Sequence, residues 1–266
     1  MYNSYVSTFL LSVVFSLLEY SDTQLLINVK NLGGDVVQEN ITANVAQDVV
    51  TLEFQRNDGT LITQLIDFTR EVQIVKALVL GEEERGQSQY QVMCFVTHVF
   101  KDEFISSDAI SKLRQKNPGT IRQAEEDKGR FNVTLDFYLN VVSPSAAKIS
   151  PHLGPMCAEA ADSTYTRLID VHVWADMLGI SPSKLLSNTK KFPIKARPPC
   201  TENANLNSAC NCRLELCIDW YPCGLKYCKG KGVDAGTSYR CGIKTCRKCH
   251  LFSYYVKQKM LCLWDE

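Results

Sequence analysis

The chain has 266 residues, with 29 Lys and Arg against 29 Asp and Glu, 45% hydrophobic residues and 12 cysteines. This composition excludes a disordered, low-complexity or strongly polyionic chain and leaves room for two modest domains. The neutral total conceals a division: residues 1–183 carry 14 basic and 23 acidic side chains, residues 184–266 carry 15 and 6, and ten cysteines lie between Cys200 and Cys262.

Residues 6–18 (VSTFLLSVVFSLL) form an uncharged, mostly apolar run of 13. That is short of the roughly 20 residues a membrane span needs and suits a signal-peptide core. No Lys or Arg precedes Lys30, so the usual positive leader is missing and a buried strand is the alternative. The cysteine density favours the secretory reading, because so many thiols suit an oxidising compartment. The expected plan is a signal peptide over 1–20, an α+β domain over 21–170, a helical segment and Pro/Lys-rich linker over 171–199, and a disulfide-stapled module over 200–266. No membrane span is expected.

Short alternating segments follow: 24–30, 36–41, 49–55 and 61–68, separated by Gly33-Gly34-Asp35 and Asn57-Asp58-Gly59. They predict hairpins of an antiparallel sheet, to which 72–80 and 89–99 add strands. The period then changes. Ser107 to Lys116 predicts a helix stopped by Asn117-Pro118-Gly119, and Thr120 with Gln123 makes a capping box for a second helix ending near Gly129. From Phe131 to Val141 the alternation predicts one half-buried strand, and Met156 to Asp170 a further helix. The fold class expected is α+β, an antiparallel sheet with flanking helices.

Two sequons, at Asn40 and Asn132, are candidate glycosylation sites; the strand period turns Asn132 toward solvent. Cys94 lies inside a strand and Cys157 opens a helical run. As the only cysteines of their domain they pair most simply with each other, which would contribute about 4 kcal/mol by loop closure. Two buried thiols are the alternative.

The last module holds Cys200, Cys210, Cys212, Cys217, Cys223, Cys228, Cys241, Cys246, Cys249 and Cys262. A module this small has a marginal core, so disulfides are the expected compensation; spacing does not choose among the possible pairings. A thiolate zinc site is disfavoured because only one C-x2-C pair is present. Cys246-Arg247-Lys248-Cys249-His250 fits the haem-attachment spacing but sits among eight other cysteines. No metal or cofactor is expected. Lys226, Lys229, Lys231, Arg240, Lys244, Arg247 and Lys248 are candidates for binding a polyanion, which outside the cell means a glycosaminoglycan or an acidic protein surface rather than nucleic acid. A solvated basic face is the plainer reading, and the opposite charges of the two halves also permit the module to dock on its own N-terminal domain.

None of the four histidines sits in H-E-x-x-H, and the sequence holds no G-x-S-x-G elbow, Walker loop or dinucleotide turn. Ser181-Pro182-Ser183-Lys184 matches S-x-x-K only by letter and reads as a helix start. Asp170 and His172 are two residues apart, hence on different helix faces. No catalysis is expected.

Two resemblances add to this reading. The strand ending Leu65-Ile66-Asp67-Phe68, the strand CFVT (94–97), the helix at 107–113 and the distant Cys157 before Tyr165 resemble the BRICHOS domain. That resemblance implies that Asp67 is the family's Asp and that Cys94 and Cys157 form its disulfide. The strings ALVLGE (77–82), GQSQ (86–89), KLRQKNP (112–118), RQAEE (122–126), SPHL (150–153), CAEA (157–160), WYPC (220–223), LKYC (225–228), CGI (241–243) and LCLWDE (261–266) resemble the out at first family from about residue 25 to the end. This resemblance implies a secreted, glycosylated developmental protein. It also implies that Cys217 and Cys249, less typical of the family, pair with each other. The expected function is extracellular binding of an unidentified protein or receptor. A BRICHOS-type chaperone for β-prone clients and a glycosaminoglycan-binding ligand or co-receptor are the alternatives.

Overall fold

The computed structural model describes residues 23–115, 117–187, 189–192, 197–229 and 237–263. The expected signal peptide and Lys231 lie outside the described residues.

Six strands open the fold: β1 (Thr23–Lys30), β2 (Val36–Asn44), β3 (Val49–Gln55), β4 (Leu61–Asp67), β5 (Val72–Leu80) and β6 (Tyr90–His98). Each is antiparallel to the next. Their inward residues alternate as the sequence requires; β3, for example, buries Val50, Leu52 and Phe54. The turn before β4 needs the left-handed backbone of Gly59, at φ 84°, and the Asp58 carboxylate accepts from the Thr60 N–H at 2.9 Å.

Then come α1 (Ser107–Ser111), β7 (Ile121–Arg122), β8 (Glu126–Leu135), β9 (Phe137–Leu139), α2 (Pro144–Ile149), α3 (Leu153–Cys157) and β10 (Thr164–Thr166). They are followed by α4 (Leu168–Met177), α5 (Pro182–Leu186), β11 (Thr189–Lys191), β12 (Cys210–Lys229) and β13 (Ser238–Val256). A ten-stranded sheet runs β11-β9-β10-β6-β5-β4-β3-β2-β1-β7, and a three-stranded sheet runs β12-β13-β8.

The structure corrects the expected antiparallel sheet. Both sheets are mixed, because β10 runs parallel to β6, β7 to β1 and β8 to β13. The fold is mostly β, and the helix expected from Thr120 to Gly129 is absent. Ile121 and Arg122 instead pair with Asn28 and Val29, while Glu126 onward pairs with β13. A capping box is worth a local kilocalorie or so, and two long-range ladders outweigh it. The expected helix over 156–170 is likewise divided between α3, β10 and α4. The alternation over 131–141 crosses from one sheet to the other at Asp136, whose Oδ1 accepts from the Leu168 N–H at 3.2 Å and whose carbonyl accepts from the Phe192 N–H at 2.9 Å.

Three layers result. On one face of the large sheet, Val72, Ile74, Cys94 and Val96 pack under the helices against Leu153, Trp174 and Leu185. On the other face, Val75, Ala77, Met93 and Phe95 join Leu214, Leu216, Phe252 and Tyr254 of the β12–β13 hairpin in one core. Central strands β5 and β6 are therefore buried on both sides. Cys94 and Cys157 are joined, fastening the helical layer to the sheet.

The hairpin is crossed by three bridges, Cys217–Cys249, Cys223–Cys246 and Cys228–Cys241, the first between directly opposite residues. Cys200–Cys210 and Cys212–Cys262 fasten the flanking segments to the start of β12. Among the described residues no cysteine is free, and no helix is long and apolar enough to cross a membrane.

Candidate functional site

The basic residues singled out above divide into two groups. Four of them face acids of the N-terminal half. Lys226 Nζ lies 2.6 Å from Glu125, Lys248 Nζ 2.5 Å from Glu103, and Arg247 Nη1 3.0 Å from Asp127, while Lys244 pairs with Glu126. Hydrogen bonds from Lys128 and Lys244 hold the Glu126 carboxyl down to about 2. The charge asymmetry of the two halves is thus met, in large part, by contacts between them. Lys229 and Arg240 remain exposed.

Arg240 belongs to a different constellation, a groove of about 380 Å³ between β1, the segment following α1, and the hairpin. Its apolar wall comes from Leu25 and Ile27 of β1, Leu113, and Trp220, Leu225 and Ile243 of the hairpin. Lys112, Arg114, Arg122 and Arg240 stand on its rim.

Each wall has a local cause. Leu25 and Ile27 alternate inward along β1. The Ser106 hydroxyl caps α1 by accepting from the Ala109 N–H at 3.3 Å, after which the chain unwinds and the Gln115 amide donates to the Leu26 carbonyl. Arg122 is placed by the short parallel ladder of β7 on β1. Lys112 is held at 2.7 Å by Asp108, and Arg114 Nη1 donates to the Ser111 and Leu113 carbonyls at 3.1 Å. For Arg122 and Arg240 no acidic partner is found among the described residues. An apolar floor beside several cations suits a ligand that carries an acidic group next to apolar surface. Of these residues the sequence reading singled out only Arg240; β7 offers two residues and no periodicity by which the rest could have been found.

Asp67 is fully buried. Its Oδ2 accepts from the Ser150 hydroxyl at 2.8 Å, its Oδ1 accepts from the Arg70 N–H at 3.1 Å, and the Arg70 guanidinium stands 3.7 Å away. It joins the end of β4 to the helical layer. Asn132 is exposed on β8, whereas Asn40 is half-buried on β2 with its Oδ1 enclosed.

Two further ionisable pairs lie within the N-terminal half. Arg167 binds Asp170 at 2.6 and 2.7 Å, and His98 Nε2 meets Glu71 at 3.0 Å. Glu215, Cys217 and Cys249 gather within metal-binding distance, but the two sulfurs are bonded to each other and supply no thiolate.

A family model described as Out at first matches residues 23–174, and one described as Out at first, C-terminal, matches residues 199–266. The chain is similar to the Out at first protein of Drosophila virilis, 59% identical over 256 residues, covering 92% of this chain and 83% of that protein. It is 57% identical over 258 residues to the Out at first protein of Drosophila melanogaster, covering 93% of this chain and 53% of that relative, or about half its length. No solved structure matches.

Proposed function

The chain belongs to the Out at first family, named for a developmental protein, and from that premise we propose that it is secreted and acts outside the cell by binding, without catalysis. The groove beneath Arg122 and Arg240 is its ligand site. The observation that carries this reading is the meeting there of an apolar floor with four cations drawn from both halves of the chain. Six disulfides support an oxidising location, and exposed Asn132 suits a glycan.

The partner is an acidic, partly apolar surface of an extracellular protein. A glycosaminoglycan is the second reading, favoured by the same four cations but not by the apolar floor. The BRICHOS-type chaperone reading is weaker. It draws on the buried Asp67 and the Cys94–Cys157 bridge, but the sheet face opposite the helices is covered by the hairpin.

The test is binding of the fluorescently tagged, secreted protein to live cells, before and after heparinase treatment. Binding that survives heparinase and is lost in Leu113→Asp, with the melting temperature followed alongside, supports a protein partner. Binding abolished by heparinase supports the glycan reading. Undiminished binding of a folded Leu113→Asp protein rejects the groove.

A further inference from the structure

One carboxylate occupies an inward position on β2. Glu39 shares a face with Ile41 and Ala43 and is 2% exposed. It lies where β2 meets β12: the Trp220 N–H donates to it, while its Oε2 has no hydrogen-bond partner among the described residues. An unpartnered carboxylate oxygen at such depth calls for a proton, a water or a cation.

Glu39 lines an open cavity of about 490 Å³ between the β1–β2 turn, the β3–β4 turn and β12. Asp35, Asp58, Glu215 and Asp219 also line it, giving five carboxylates against the two guanidiniums of Arg56 and Arg247. Both guanidiniums are engaged. Arg56 lies 3.4 Å from Asp58, and Arg247 binds Oδ1 of Asp219 at 2.8 Å and Asp127 at 3.0 Å. Cys217, also in the wall, is disulfide-bonded, so the donors on offer are oxygens.

We propose that this cavity binds a hard divalent cation of the calcium class, with Glu39 and Asp219 as its protein ligands. A proton would satisfy Glu39 alone, whereas a dication satisfies the Glu39 Oε2 and draws in the neighbouring Asp219 carboxylate, whose Oδ1 also accepts from Arg247, and the cavity has room for the waters that complete an oxygen shell. The cation would then connect β2 of the large sheet to β12 of the hairpin, reinforcing the contact between the two halves.

The test uses the intact secreted protein stripped with chelator and titrated with the metal alone. Calcium is expected to raise the melting temperature with a midpoint of about 10⁻⁴ to 10⁻³ M, the range of extracellular calcium modules. Terbium is expected to luminesce under indole excitation, given Trp220 beside the site, and to be displaced by calcium. Glu39→Gln and Asp219→Asn should each weaken both responses by about tenfold or more, while Glu126→Gln, outside the cavity, leaves them unchanged. A folded wild-type protein with neither response overturns the site. So does a terbium signal unaltered in Glu39→Gln, or a Glu39→Gln protein that melts higher while neither form responds to calcium, which would show a protonated carboxyl only.

Discussion

Phe95 of β6 stacks on Phe252 of β13, with ring centroids 4.6 Å apart and planes within 9° of parallel. Phe95 comes from the middle of the large sheet and Phe252 from the disulfide-stapled hairpin, and each is fully buried. Tyr165 and Tyr254 close around the pair, at 6.0 and 5.3 Å from Phe95. The core between the two halves of the chain is centred on this cluster.

Truncating Phe252 to Ala should therefore destabilise the whole protein by about 3–5 kcal/mol, as for other buried aromatics. Urea unfolding of the disulfide-intact protein would measure it. A loss below about 1 kcal/mol, the level of a surface substitution, would mean that the hairpin does not rest on the sheet.

Residues 197–266 expressed alone should form bridges without a unique fold. The isolated hairpin loses β8, its parallel neighbour along Cys246–Tyr254, and exposes Leu214, Leu216, Phe252 and Tyr254. Poorly dispersed amide resonances and mixed disulfide products are expected; a well-dispersed spectrum with the five bridges of the intact chain would show an autonomous module.

Much of the first half was legible because it is local. The strands expected over 49–55 and 72–80 coincide with β3 and β5 to the residue. Beyond Ser107, contacts between distant segments decide the outcome. Ile121 becomes a strand because β1 is beside it, and the run 131–141 is divided at Asp136 because its two ends belong to different sheets. Period-two alternation is the same in either sheet, so no pattern in the chain marks the division. The groove combines residues from 25 to 243 and was illegible for the same reason. The opposed charges of the two halves were visible as composition, and the pairs Lys226–Glu125 and Arg247–Asp127 are how they meet.

Asp67→Ala should destabilise by about 2–4 kcal/mol, since it leaves the buried Ser150 hydroxyl without its acceptor and frees the Arg70 N–H. Arg70 is largely exposed, so its ion pair adds little. Asp67→Asn, which keeps an acceptor oxygen, should lose less. Chemical denaturation of both variants checks the order; equal losses would place the effect in charge rather than in hydrogen bonding.

His250 supplies a pH dependence. Burial, then the charges of Lys248 and Arg167, lower its pKa to about 3, and its Nδ1 is enclosed without a hydrogen-bond partner among the described residues. The folded state thus resists a proton that the unfolded chain accepts near pH 6.5. More protons are bound by His250 on unfolding between these values, so its contribution to stability is full above about pH 6.5 and falls as pH drops toward 3, by up to about 1.4 kcal/mol per pH unit. The lowered carboxyls of Glu71 and Glu126 act in the same direction, whereas the raised carboxyls of Glu39 and Asp170 act against it. His250→Phe should flatten the slope between about pH 4 and 6 relative to wild type; an unchanged slope would assign the acid sensitivity to the carboxylates alone.

The most direct test of the groove reverses its rim charges. Arg122→Glu with Arg240→Glu should weaken binding of the secreted protein to live cells by about tenfold or more. Lys190→Glu with Lys191→Glu makes the same change in net charge on β11, at the far end of the ten-stranded sheet from β1 and β7, and should leave binding within about twofold of wild type. Equal losses from the two pairs, or none from the first, would contradict a ligand site at Arg122 and Arg240.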